Sequence, residues 1–121
     1  MEKIFQTTHL VKAEDINNHD TLYAGRMAEW VVESAYIASA QTVGDKGQMV
    51  CVNLNNIRFI KPVLLGDILT LQGQVLKLGR TSLTVEIKAF VGNAVCLEGE
   101  GVFVCVDHEG KKVAHGIQKE K

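Results

Sequence analysis

Between Ala24 and about Gln41 the apolar residues Met27, Val31, Ala35 and Ala38 recur at spacings of four, four and three. That is the stripe one face of an α-helix presents to a core, and it predicts a helix over this stretch. It is the only long helical pattern in the chain, and Gly44, Asp45, Lys46 and Gly47 break it. From Gln48 onward the chain alternates or is β-branched. Gln48 to Ile60 reads as a strand closed by Lys61-Pro62, because proline cannot donate to a ladder. Ile68 to Leu78 is the next. Leu83, Val85, Ile87 and Ala89 then alternate with Ser82, Thr84, Glu86 and Lys88, a strand with one buried and one polar face. Leu76 to Thr81 is therefore a hairpin connection. Ala94 to Val106 is a final strand in which Gly99 and Gly101 mark a bend or a close backbone approach, and Ile4 to Lys12 is a first strand.

The order is strand, helix, then four strands joined by short turns. An antiparallel sheet must cover its apolar face, and the single helix is the candidate cover, which makes the fold class α+β. There is no internal repeat, low-complexity tract or linker, so residues 1–121 read as one domain with a polar tail, Gly116 to Lys121, that frays. A chain this short leaves much surface exposed and gains from association.

Charge narrows the partners. A net charge of -1 leaves no basic field to recruit nucleic acid or an acidic membrane, which favours a small-molecule partner. Cys51, Cys96 and Cys105 are odd in number and lack C-x-x-C spacing, so they read as reduced thiols buried in strands rather than a disulfide framework or metal knuckle. The early acid and amide at Glu2 and Gln6 argue against a signal peptide, and no long uncharged apolar run exists, so a cytoplasmic protein is expected.

The segment Asn17-Asn18-His19-Asp20-Thr21-Leu22-Tyr23-Ala24-Gly25-Arg26-Met27-Ala28-Glu29-Trp30 resembles the loop-and-helix signature of acyl-CoA thioesterases with the hot-dog fold, whose usual form is Asn-His-x-Gly-Thr-Leu-Phe-Gly-Gly followed by the helix. Ile57-Arg58-Phe59-Ile60-Lys61-Pro62-Val63 with Gly66-Asp67 resembles the family's strand end and turn, and Gly79-Arg80-Thr81-Ser82-Leu83-Thr84-Val85 its next hairpin. The likeness runs in order from about Asn17 to Val106. It implies a helix wrapped by an antiparallel sheet, a dimer or assembly of dimers whose helices and facing strands build the sites, and hydrolysis of an acyl-CoA thioester without a metal or separate cofactor, CoA being part of the substrate.

Thioester hydrolysis needs an activated water and a dipole aimed at the carbonyl oxygen. The resemblance implies that backbone N–H groups at Ala24, Gly25 and Arg26 supply the dipole, with Gly25 allowing close approach, and that Asn17 positions water or the carbonyl. The family's helical acid falls on Val32, which cannot act as a base. Glu33 is its neighbour, about 100° further round the helix, on a flank with Glu29 and Trp30 away from the Val31 core face. Glu33 is thus either the replacement base or a solvated glutamate. His19 and Asp20 are an adjacent polar pair at the helix entrance, too few for a metal site; Asp20, ahead of Thr21, is a candidate cap for the helix start. His9, His108 and His115 have no partner motif. For the CoA phosphates Arg80 with Thr81 and Ser82 is the first candidate, and Arg58 and Lys61 the second. One of Asn55 and Asn56 can face the pocket. Val32 leaves a second function open, a non-hydrolytic acyl-CoA or acyl-group binding protein of the same fold.

Overall fold

The computed structural model describes residues 3–44 and 48–117. The elements are β1 (Ile4–Leu10), a 3-10 turn (Ala13–Asp15), α1 (Ala24–Val43), β2 (Gln48–Phe59), β3 (Ile68–Leu78), β4 (Ser82–Val91) and β5 (Ala94–Val106). Five strands form one sheet in the order β1-β3-β4-β5-β2, every neighbouring pair antiparallel. The helix touches all five strands.

The four apolar residues of the helical stripe, Met27, Val31, Ala35 and Ala38, are all buried. They meet the alternating inner positions of the central strands, among them Leu69, Leu71, Leu83, Val85, Ile87 and Leu97. Small residues set how close the helix comes. A side chain at Gly73 would press on the Ala38 methyl at 3.1 Å and the Ser34 carbonyl at 3.3 Å, and one at Gly101 would touch the Ala35 methyl at 3.5 Å.

Trp30 departs from the expected arrangement. It is buried rather than turned away from the core, and its ring stacks on His9 of β1 at 4.2 Å with the planes 7° apart. A helix lying against a whole sheet buries more than one stripe, so its flanks meet the edge strands. β1 stops at Leu10, not Lys12, because Val11 donates its N–H to the Asp67 carbonyl and Lys12 donates its own to Asp15 Oδ2. Gly44 ends α1 with φ at 72° and its N–H bonded to the Ala40 carbonyl, while the rest of the expected break, 45–47, lies outside the described residues.

Cys96 and Cys105 are buried as expected; Cys51 is not, because it sits on β2, the last strand of the sheet, which has no covering neighbour on its outer side. Burial pushes the Cys105 thiol up, and its sulfur lies 3.1 Å from Met49 Sδ. The tail also departs in part: Ile117 packs against the core, and 118–121 lie outside the described residues.

Candidate functional site

The loop before α1 is built around Asn17. Its Oδ1 accepts from the backbone N–H groups of His19 (2.8 Å) and Thr21 (3.2 Å), and its Nδ2 donates to Thr21 Oγ1 at 2.9 Å. Both acceptor sites of the amide oxygen are therefore occupied, so Asn17 cannot take a proton from water; only its second amide N–H is left to give. The turn carries Asp20 at φ 62°, a left-handed residue, and the chain then bonds back through Leu22 N–H to the Val63 carbonyl. Asp20 does not cap the helix. The N-cap residue is Tyr23, which makes no side-chain cap, and the first intrahelical bond is Met27 N–H to the Tyr23 carbonyl. The N–H groups of Ala24, Gly25 and Arg26 thus precede the ladder without a side-chain cap.

Two cavities flank this helix start. One of about 270 Å³ is lined by Asn17, Leu22, Ala24, Met27, Phe59, Ile60, Lys61, Pro62 and Val63, apolar apart from Asn17 and Lys61. The other, of about 340 Å³, holds Gly25 with Glu14, Asp15, Ile16, Tyr23, Arg26 and Glu29. Arg26 closes it onto the buried Asp15 carboxylate at 3.1 Å and reaches Glu29 at 3.4 Å. Asn17 and Gly25 therefore stand on opposite sides of the first helical turn, with the free N–H groups between them.

Glu33 is in neither cavity. Its Oε1 lies 3.2 Å from His9 Nε2, on the flank of α1 that faces edge strand β1. Val32 lies on the other flank with Tyr36, one turn on, whose ring meets Phe103 of β5 edge-on at 6.3 Å. The structure thus does not bring Glu33 to the Asn17 cavity. Glu33→Gln is expected to leave turnover within about threefold of the wild type, well short of the 100-fold or larger loss that removal of a general base causes; steady-state thiol release measures it.

The cationic candidates divide between the two ends of the sheet. Lys61 lines the Asn17 cavity, and Arg58 nearby pairs with Glu98 at 3.5 Å. Asn55 is the last paired residue before an irregularity in β2, and Asn56 lies within it at φ 55°. Arg80, Thr81 and Ser82 are at the opposite end. Ala89, which pairs with Leu97 beside Phe59, stands seven positions along β4 from Ser82. At a rise of about 3.3 Å per residue that is roughly 23 Å. Within one copy, Arg80 does not share a site with Asn17. Sequence reasoning missed Tyr23, whose ring lies over Gly25 two residues on, and the His9–Glu33 contact, which joins positions 24 apart and has no short-range signature. Among the described residues, no group of three or more His, Cys, Asp or Glu converges as metal ligands would.

Comparison with known proteins bears on this arrangement. The family model of the thioesterase superfamily matches residues 19–97. A Haemophilus influenzae protein, named an uncharacterized acyl-CoA thioester hydrolase, is 26% identical over 113 residues, spanning 84% of this chain and 71% of its own. The acyl-CoA hydrolase of Staphylococcus aureus, solved with butyryl-CoA, CoA and CoA disulfide, superposes with a TM-score of 0.83 at 26% identity over 92% of this chain and 68% of its own. It has also been solved with one asparagine or one aspartate replaced by alanine, two residues as far apart in that chain as Asn17 and Val32 are here. A hexameric thioesterase of Yersinia pestis superposes with a TM-score of 0.85 at 22% identity over 94% of each chain, a likeness of fold. With a sheet curved round one helix in the hot-dog manner, and with loop, helix and strands matched in order, the chain belongs to the thioesterase superfamily.

Proposed function

We propose that this chain hydrolyses the thioester of an acyl-coenzyme A to the free acid and CoA, slowly, at a site completed by a second copy. The observation that carries this is the apolar cavity beside the uncapped start of α1, with Asn17 and Lys61 as its polar lining. Apolar walls suit an acyl chain, and a few placed polar groups fix its orientation. Water adds to the carbonyl carbon, the C–S bond breaks, and CoA leaves as a thiolate that takes up one of the water's protons, while the other passes to solvent and the acid leaves as carboxylate. The free N–H groups of Ala24, Gly25 and Arg26, with the spare amide N–H of Asn17, are the donors for the oxygen that gains charge.

What is missing is a base. The Staphylococcus aureus hydrolase has an aspartate at the distance from its asparagine where this chain has Val32. Loss of a positioned base costs about 100- to 10,000-fold, yet donors aimed at the developing oxyanion still leave catalysis above the uncatalysed rate. Slow turnover is therefore the expected state. Val32 also favours the second reading, an acyl-CoA binding protein that does not turn over. Thiol release from a panel of acyl-CoAs at neutral pH separates them: release above the buffer rate supports the hydrolase, and saturable binding with none supports the binder.

Association is proposed through β2. The register puts Cys51, Leu54 and Phe59 on the helix-facing side, opposite Phe103, Gly101 and Leu97, yet all three are exposed. Antiparallel pairing with β2 of a second copy about a two-fold axis covers them. It also carries the second copy's Gln48 end, and with it the Arg80-Thr81-Ser82 turn, to the end where Asn17, Arg58 and Lys61 lie. The CoA phosphates are assigned to that turn, with Lys61 and Arg58 nearer the acyl end. The unpaired thiols suit a reducing, cytosolic setting.

Gly25→Val tests the donors. The added side chain meets the exposed Tyr23 ring, which must move aside, and stands at the helix start where the thioester carbonyl would approach. Turnover is expected to fall by 100-fold or more with circular dichroism and oligomeric state unchanged; near-normal rates would remove the helix start from the mechanism.

A further inference from the structure

The Arg80 turn is not left to hold its own shape. Gly79 N–H donates to the Ser82 carbonyl at 2.9 Å, and Cys105 N–H donates to the Thr81 carbonyl at 2.8 Å. Beyond β5 the chain turns at Asp107–Gly110 and runs back beside it, with Val113 N–H bonded to the Cys105 carbonyl and Lys112 bridged to Val106. This brings His115 against the turn. Its backbone N–H donates to the Arg80 carbonyl at 3.3 Å, its Nε2 reaches the Gly79 carbonyl, and its Nδ1 accepts from the N–H of Ile117 at 3.0 Å.

His115 is 3% exposed and is the one buried histidine among the described residues. A carbonyl can only accept and a backbone N–H can only donate, so the ring is held as the neutral tautomer with its proton on Nε2. Both ring nitrogens and the main-chain N–H are thus spent on the two residues that begin the turn and on the segment that closes over it. Arg80 itself is exposed and makes no ion pair among the described residues. A guanidinium on a mobile loop gives up side-chain and loop entropy when it meets a phosphate, and a fixed backbone lowers that cost.

We propose that His115 is a positioning residue for the phosphates of CoA, clasping the Gly79–Ser82 turn so that Arg80 is presented in its binding geometry. This rests on the assignment of the nucleotide to Arg80. The clasp predicts a selective effect: loss of His115 weakens ligands that carry the nucleotide and spares those that end at pantetheine.

The test uses calorimetry with two non-hydrolysable ligands, S-butyl-CoA and S-butyl-pantetheine. Arg80→Ala is expected to weaken S-butyl-CoA about tenfold or more, the scale of one hydrogen bond to a charged group, and to leave the pantetheine thioether unchanged. His115→Leu should show the same selective loss, the double variant should be no weaker than Arg80→Ala, and His115→Gln, which keeps an N–H donor, should recover most of it. In the wild type, ring ¹⁵N shifts should report a bare Nδ1 and a protonated Nε2, and S-butyl-CoA but not the pantetheine should move them. Arg80→Ala binding S-butyl-CoA like wild type would remove the phosphate assignment and the clasp with it. Selective loss in Arg80→Ala but none in His115→Leu would remove the clasp alone. A His115 ring unmoved by S-butyl-CoA overturns the clasp whether or not His115→Leu folds.

Discussion

Val32→Asp should raise acyl-CoA hydrolysis by about 100- to 10,000-fold, the range that a positioned general base contributes. The side chain at 32 lies on the flank of α1 shared with Tyr36, toward β5 and β2, while Glu33 is engaged by His9 on the opposite flank. A carboxylate at 32 therefore arrives on the side that a second copy would cover, and meets no like charge from Glu33. Position 32 is half-buried, so the aspartate loses some hydration, which raises its pKa toward the range useful for taking a proton from water. Steady-state thiol release on one short-chain acyl-CoA measures the gain. An unchanged rate with intact binding would show that the carboxylate is not what limits this chain.

Leu54→Glu should abolish association and turnover together. Leu54 faces the helix side of β2 beside Gly101 and is 39% exposed in one copy, with Cys51 and Phe59 exposed on the same side. Pairing about a two-fold axis would bring two such glutamates into an apolar interface, where unpaired charge is costly to bury. Light scattering at micromolar concentration should then give the 13.3 kDa monomer, against at least twice that mass for the wild type. Activity should fall by 100-fold or more, because the Arg80 turn and the Asn17 cavity no longer share a site. A Leu54→Glu protein that remains associated would place the contact elsewhere.

Much of the fold was legible because it depends on local period. The helix begins at the expected Ala24 and buries the stripe of Met27, Val31, Ala35 and Ala38. Ile68–Leu78 and Ala94–Val106 match their expected limits at both ends, and the start of β4 at Ser82 comes from alternation alone. The misses share a cause in contacts between distant segments. Trp30 reads as off the core stripe until His9, far away in sequence, stacks on it. Cys51 reads as buried because the alternation of β2 says nothing about its lying at the margin of the sheet. The site was less legible still. Asn17, Gly25 and Glu33 stand close along the chain, but the loop and the first turns of the helix disperse them to a cavity, the far side of the helix start and the β1 flank. His115 gave no local signal, since the turn it clasps lies 35 and 36 positions earlier.

The two margins of the sheet are unequal, and that limits growth. If copies join through β2, both outer borders of the joined sheet are β1, seven residues long and bracketed by Lys3 and Lys12. A short strand with a lysine at each end is a poor template for further chains, because every added copy would stack like charges beside one another. The long, apolar margin can be satisfied by one partner and the short one discourages the next. On that pairing the chain would assemble into a closed unit at the high concentrations of a cell without seeding a fibre.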